Sequence, residues 1–209
     1  RLLDRMNVDN KIVRLLFDRA KTKPKRVVFA EADQLDVLKA SQIVYEEGIA
    51  HPILLGNKKQ IENLKEELEF NADVPIIDPK DPASKEQNDK YGEVFWKQQK
   101  RSGQTLFSAQ KLMRERNYYA AMMVNEGDAD ALITGYSRSY PSIVKPMLDL
   151  IGLAPGSTRI ATTNVMITQR GPMFLSDTAI NINPSAHDLI KITQMTSGVM
   201  KMFGIKPVM

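Results

Sequence analysis

An α/β fold, with parallel strands covered by helices on both faces, follows from three features of this chain. Short runs rich in Val, Ile and Leu are too brief for helices and suit buried strands. Longer segments with apolar residues at helical spacing lie between them. The order over roughly the first 80 residues is helix, then β-α-β-α-β, and parallel strands joined by crossover helices account for that alternation.

The first helix carries Ile12, Val13, Leu16, Phe17 and Ala20 on one face, with Asp9 placed to cap it and Pro24 ending it. Arg26 to Ala30 is a buried strand, and Glu31-Ala32-Asp33 is the loop after it. Leu35, Leu38, Ala40, Ile43 and Val44 mark the next helix, closed by Gly48. A second strand covers His51 to Gly56, a helix Lys58 to Leu68, and a third strand Val74 to Ile77. The polar stretch Asp78 to Pro82 leads into a helical region. One helix there holds Tyr91, Val94, Phe95 and Gln98, and Gly103 interrupts. A second holds Ala109, Leu112 and Met113, and a third holds Tyr119, Ala120, Met123 and Val124. Ala131 to Gly135 is another buried strand, and its loop, Tyr136 to Pro141, opens a helix from about Ser142 to Leu150. Strand-like runs follow at Arg159 to Thr163, Val165 to Thr168 and Met173 to Leu175, then a helix from Asp188 to Phe203. Gly204 to Met209 reads as a turn feeding a new strand at Val208, so the chain is expected to be a fragment. The expected division is a first lobe at 1–143 and a second, incomplete lobe at 144–209, with a cleft at the loop 135–145.

Composition removes several classes. With 43% hydrophobic and 26% charged residues in 209, collagen-like, coiled-coil and wholly disordered readings fail. The longest apolar stretches run to about five residues, against the roughly 20 of a membrane span. No segment has the order of a signal peptide. Cys is absent, which excludes disulfides, thiolate nucleophiles and zinc ribbons, and two His residues make no metal cluster. A cytoplasmic protein is expected, with no membrane partner and no metal. The charge excess is only +4. Its one dense run, Lys21 to Arg26, contains no aromatics, so it reads as the solvated end of a helix and not as a nucleic-acid surface.

Ligands of open α/β sheets bind beyond the C-terminal ends of strands. Two segments qualify, Glu31-Ala32-Asp33 and Gly135 to Tyr140. The second is richer. Gly135 permits close backbone approach, Ser137 and Ser139 offer hydroxyls, Arg138 offers a guanidinium, and Lys145 lies inside the helix that follows. Such a set suits a phosphate or carboxylate. A hydroxyl-rich helix cap with a surface Arg is the plain alternative. Gly135-Tyr136-Ser137-Arg138-Ser139 nearly matches G-x-S-x-G but lacks its last Gly. The His such a hydrolase needs would be His187, which sits beside Asp188 at a helix start where capping is the simpler role. Neither a dinucleotide fingerprint nor a P-loop occurs. Asp128 and Asp130 flank a turn, and the Met residues at 113, 122, 123, 195, 200 and 202 fall at core-like spacings.

Three stretches also line up, in order, with one family. Val27-Val28-Phe29-Ala30-Glu31-Ala32-Asp33 resembles the opening motif of phosphate acetyltransferases, Met122 to Gly135 resembles their M-M-V-x-x-G-x-A-D core, and Phe174 to Ala186 resembles F-x-D-x-x-V-N-x-x-P-[ST]-A. Phe95-Trp96, Arg101-Ser102-Gly103, Met113 to Asn117, Asp130 to Ile133 and Asp177-Thr178 are similar to one branch, the acetyltransferase-like C-terminal domain of bacterial NADP-dependent malic enzymes. The resemblance implies a three-layer α/β/α fold of the isocitrate/isopropylmalate-dehydrogenase type. It implies a regulatory and oligomerising domain that binds acetyl-CoA or an acyl phosphate. The malic-enzyme catalytic domain would lie in the same chain and use NADP with Mg²⁺ or Mn²⁺, while this domain would hold no cofactor. A homo-oligomer is expected. Arg138 and Lys145 would contact phosphate, Ser137 and Ser139 would donate hydrogen bonds, and Tyr136 or Tyr140 would stack on a base. The chain departs from the family pattern at Gln99 and Lys145, each standing where active transferases carry Arg. The family's catalytic loop follows the strand that Val208 would begin. Together these argue for no catalytic residue here. The rival reading is an active phosphate acetyltransferase or butyryltransferase, and a third is a purely structural dimerisation module.

Overall fold

The computed structural model describes residues 11–155, 157–168 and 171–207. The expected cap Asp9 and the expected strand start Val208 lie outside them. The chain divides into two compact units, residues 20–152 and residues 1–19 with 153–209.

The unit 20–152 follows the β-α alternation read from the sequence. Helix α1 (Lys11–Thr22), whose residues up to Arg19 belong to the other unit, leads into β1 (Lys25–Phe29), α2 (Leu35–Glu46), β2 (Ala50–Leu55), α3 (Lys58–Glu67) and the short β3 (Ile76–Ile77). A helical run follows, α4 (Lys85–Gln99), α5 (Leu106–Leu112) and α6 (Arg116–Asn125), then β4 (Ala131–Ile133) and α7 (Tyr140–Leu150). The expected boundary at 143/144 falls inside α7, which belongs whole to this unit. The sheet is four-stranded and parallel in the order β3-β2-β1-β4.

Side chains on a strand alternate between its faces. That periodicity divides the core in two. Val28 of β1 with Ile53 and Leu55 of β2 face a cluster built from α4, α5 and α6, including Phe95, Met113, Tyr119 and Met122. Phe29 and Leu54 face the other way, onto Leu38 of α2, Ile61 of α3 and Phe70. Helices thus cover both faces, and the strand order reverses between β1 and β4. Met113, Met122 and Met123 are buried as expected, whereas Met202 is 74% exposed because it ends its helix. Arg26 is not simply solvated. Its guanidinium donates to the carbonyls of Gly127 (2.7 Å) and Asp128 (2.9 Å) and pairs with Asp130 (3.2 Å), tying the turn before β4 to the start of β1. The bonds that the Arg26 side chain and backbone N–H make to Asp130 hold its carboxyl down to about 2.

The other unit carries a two-stranded antiparallel hairpin, β5 (Thr163–Thr168) with β6 (Gly171–Ser176), and helix α8 (Ala186–Met202). The strand-like run expected at 159–163 is irregular up to Thr163, since residues 157–162 pair with no strand. Asp177 instead gathers that segment, accepting from Thr162 N (3.1 Å), Thr162 Oγ1 (2.8 Å) and Asn181 N (2.7 Å). Ser185 and Asp188 form a capping box at the start of α8, and Arg159 pairs with Asp188 at 2.5 Å. Ser185 is therefore the cap and Asp188 its reciprocal partner, while His187, for which the sequence suggested capping, is exposed. Arg19 of α1 donates to the carbonyl of Met202 at 2.8 Å.

Candidate functional site

The reversal of strand order between β1 and β4 is the topological switch point, where α/β sheets open a crevice at their carboxyl ends. Both segments singled out in the sequence meet there. Ala30 N donates to Ile133 O at 3.0 Å, so Glu31 emerges beside the loop that leaves β4.

Glu31 is buried and fills that loop with negative charge. Its Oε1 accepts from the backbone N–H groups of Gly135 (2.8 Å) and Tyr136 (2.9 Å), and its Oε2 from that of Ser137 (2.9 Å). The Ser137 hydroxyl also donates to Oε2. Successive N–H groups converging on one point form an anion-binding nest, and here the chain's own carboxylate occupies it. Burial pushes the Glu31 carboxyl up, but the bonds from Ser137, Gly135 and Tyr136 outweigh burial and hold it below its ordinary value. Gly135 is needed at this bend. Its φ is +110°, and a Cβ there would lie 3.1 Å from Ile143 Cδ1.

Asp33 forms the second anchor. It pairs bidentately with Arg116, the first residue of α6, at 2.8 Å on both oxygens. Burial raises the Asp33 carboxyl and the bonds from Arg116 more than reverse it. Thr134 completes the frame by donating to Asn117 Oδ1 at 2.8 Å.

The expected ligand-binding residues are all placed on or just after this loop, with different freedoms. Tyr136 is 58% exposed, and its hydroxyl donates to Asp36 at 2.6 Å, which leaves its ring at the surface. Tyr140 is exposed as well. The Ser137 hydroxyl, expected to serve a ligand, is engaged by Glu31. Ser139 donates to the Ser142 hydroxyl at 3.3 Å, while Ser142 donates to the Ser139 carbonyl at 2.7 Å. Lys145 is paired with Asp149 at 2.6 Å, four residues on in α7. Arg138 is exposed and has no hydrogen bond or ion pair among the described residues.

Gln99 and Lys145, the departures from the family pattern, converge on one residue. Gln99 Nε2 donates to the Asp149 carbonyl at 2.7 Å, and Lys145 Nζ reaches the Asp149 carboxylate, which also accepts from the Tyr118 hydroxyl at 2.8 Å. Arg116 carries no local sequence signal, because its partner Asp33 lies 83 residues away; Asp149 has one local partner, Lys145, but its bonds to Gln99 and Tyr118 come from distant parts of the chain. Glu31 could have been read from the sequence, as an acidic residue directly after a buried strand. Among the described residues no group of His, Asp and Glu side chains is arranged to hold a metal ion, and no helix is long and apolar enough to cross a membrane.

The family model described as phosphate acetyl/butaryl transferase matches residues 11–209. The chain is 31% identical over 203 residues to a phosphate acetyltransferase of Thermoanaerobacterium thermosaccharolyticum, covering 94% of this chain and 61% of that protein. It is 33% identical to an NADP-dependent malic enzyme of Haemophilus influenzae, covering 93% of this chain and 26% of that one. A phosphotransacetylase structure from Streptococcus pyogenes superposes with a TM-score of 0.83 at 32% identity, over 93% of this chain and 60% of that chain. The chain thus spans about three fifths of such transferases and about a quarter of such malic enzymes.

Proposed function

The chain belongs to the phosphate acetyl/butaryl transferase family, and from that premise we propose that it is the regulatory and oligomerising domain of a malic enzyme, responding to acetyl-CoA or an acyl phosphate. The observation that carries this reading is the convergence on Asp149. One of the family's two cation positions holds the uncharged Gln99, and the other holds Lys145 in an ion pair. Neither presents a guanidinium fork to a phosphate or carboxylate, which is what bidentate recognition in a transition state requires. Binding asks for less. Arg138 is exposed beside the loop with no partner among the described residues. A surface pair such as Lys145 with Asp149 is worth only about 0.3–0.5 kcal/mol, so an anion can draw Lys145 away.

In this reading the catalytic domain elsewhere in the same protein oxidatively decarboxylates malate to pyruvate, and NADP and Mg²⁺ or Mn²⁺ belong to it. The match to malic enzymes over this region supports the link. Effector binding here shifts the equilibrium of that domain, and the coupling is reciprocal: malate or NADP changes effector affinity by the same factor. The setting is the cytoplasm, and the assembly a homo-oligomer.

The second reading is an active transferase that exchanges CoA and phosphate on an acyl group, and relatives carrying that name support it. One experiment separates the two. Acetyl-CoA is titrated by calorimetry into the chain, and the same sample is assayed for acetyl-CoA formation from acetyl phosphate and CoA. Saturable binding without turnover, weakened about tenfold or more by Arg138→Ala, is the expected result. Turnover well above background would establish the transferase, and absence of both would leave a scaffold.

A further inference from the structure

The geometry points to a second ligand site in the unit 20–152, suited to a phosphorylated nucleoside, between the turn at 78–84 and helices α4 and α5. A cavity of about 540 Å³ opens there, within the range of about 300–1,000 Å³ typical of small-molecule sites. It shares no lining residue with the loop 135–145.

Two properties of its lining select the ligand. The first is charge. The side chains of Lys80, Lys111 and Arg114 line the cavity with no hydrogen bond or ion pair among the described residues. The carboxylates on the same lining are engaged: one caps a backbone N–H at 2.8 Å and the other pairs with a fourth lysine at 2.5 Å. Four cations, Lys80, Lys85, Lys111 and Arg114, thus stand against two carboxylates, Asp81 and Asp89, so the lining carries a net positive charge, and its unpaired Lys–Lys–Arg set suits phosphate oxygens. The second is an aromatic surface. Phe107 lines the cavity and is 77% exposed, so most of its ring faces solvent. A planar heterocycle laid against Phe107 and Pro82 removes that apolar area from water.

The walls are held in place. Gly92 of α4 lets Gln110 of α5 approach so closely that a Cβ would lie 2.7 Å from the Gln110 Cα. Gln110 lines the cavity together with Phe107, Lys111 and Arg114, so the α4–α5 contact fixes their distance from Asn88.

Two sources carry this chemistry, a free nucleotide and the nucleotide end of CoA. Calorimetric titration of the whole chain with ADP, CoA and inorganic pyrophosphate tests the site. ADP is expected to bind at least tenfold tighter than pyrophosphate. Phe107→Ala and the double variant Lys111→Ala/Arg114→Ala should each weaken it about tenfold or more, with the circular dichroism melt unchanged. If CoA rather than ADP binds and the same variants weaken it while Arg138→Ala does not, the site stands and CoA is the source. Pyrophosphate binding as tightly as ADP would reduce the site to a patch of cations and overturn it. So would ADP and CoA binding that none of these variants alters, or no binding by either. Arg138→Ala reports on the loop after β4 alone, so the two sites can fail separately.

Discussion

At the scale of single residues, Glu31 decides what the loop after β4 can do. Its carboxylate holds the N–H groups of Gly135, Tyr136 and Ser137, and a neutral amide in its place keeps one acceptor but turns an NH₂ toward donors. Glu31→Gln should therefore destabilise the protein by about 1–3 kcal/mol at neutral pH, read from the urea midpoint. The sign of the pH dependence follows from the lowered Glu31 carboxyl. A carboxyl depressed in the folded state stabilises above its unfolded value, ordinarily 4.5, and that contribution is lost as pH falls through the folded value. The gap between wild type and Glu31→Gln should then shrink between about pH 7 and about pH 3. A constant gap would mean that the carboxylate charge does not hold the loop. The sequence revealed that both segments end strands and that the loop is rich in hydroxyls. It did not reveal that Glu31 would claim the Ser137 hydroxyl, because that contact spans 106 residues.

At the scale of elements, the helices and the parallel strands were legible because each buries one face and the apolar period records it. The run 159–163 misled for a physical reason. Ile160, Thr162 and Thr163 look β-prone, yet Asp177 and Asn181 take hydrogen bonds to Thr162 and Ile160 that a strand partner would otherwise make. The contact between α4 and α5 was equally invisible, since Gly92 sits in a helix with no turn to explain it. Gly92→Ala adds a methyl where Gln110 already stands, with 2.7 Å to its Cα. Overpacking of this kind costs about 1–3 kcal/mol. Glycine's low helix propensity works the other way by about 1 kcal/mol, so the net loss should sit near the lower end. A melting temperature that rises would show that the helices separate freely.

At the scale of the whole molecule, the division at 152/153 carries a prediction. Every residue of both apolar clusters lies within residues 20–152, and neither the hairpin nor α8 contributes to them. A fragment of residues 20–152 should fold alone, with a single cooperative urea transition and helical circular dichroism. A broad, uncooperative loss of signal would show that the clusters need the rest of the chain. The boundary expected at 143/144 would have cut α7 between Tyr140 and Leu150 and stripped Leu150 from the larger cluster. Periodicity locates a helix but does not say to which core it belongs. The same organisation governs what the end of the sheet shows an arriving ligand. The Ser137 hydroxyl already donates its one hydrogen bond to Glu31, so the face it turns outward carries only lone pairs. On the proposed reading of this loop as a ligand site, a group docking against Ser137 would bring a hydrogen of its own, an amide N–H or a protonated oxygen, and the fully ionised part of the same ligand would turn toward Arg138. A fixed polarity of this kind orients a ligand end to end, and distinguishes its two ends, before any part of the chain moves.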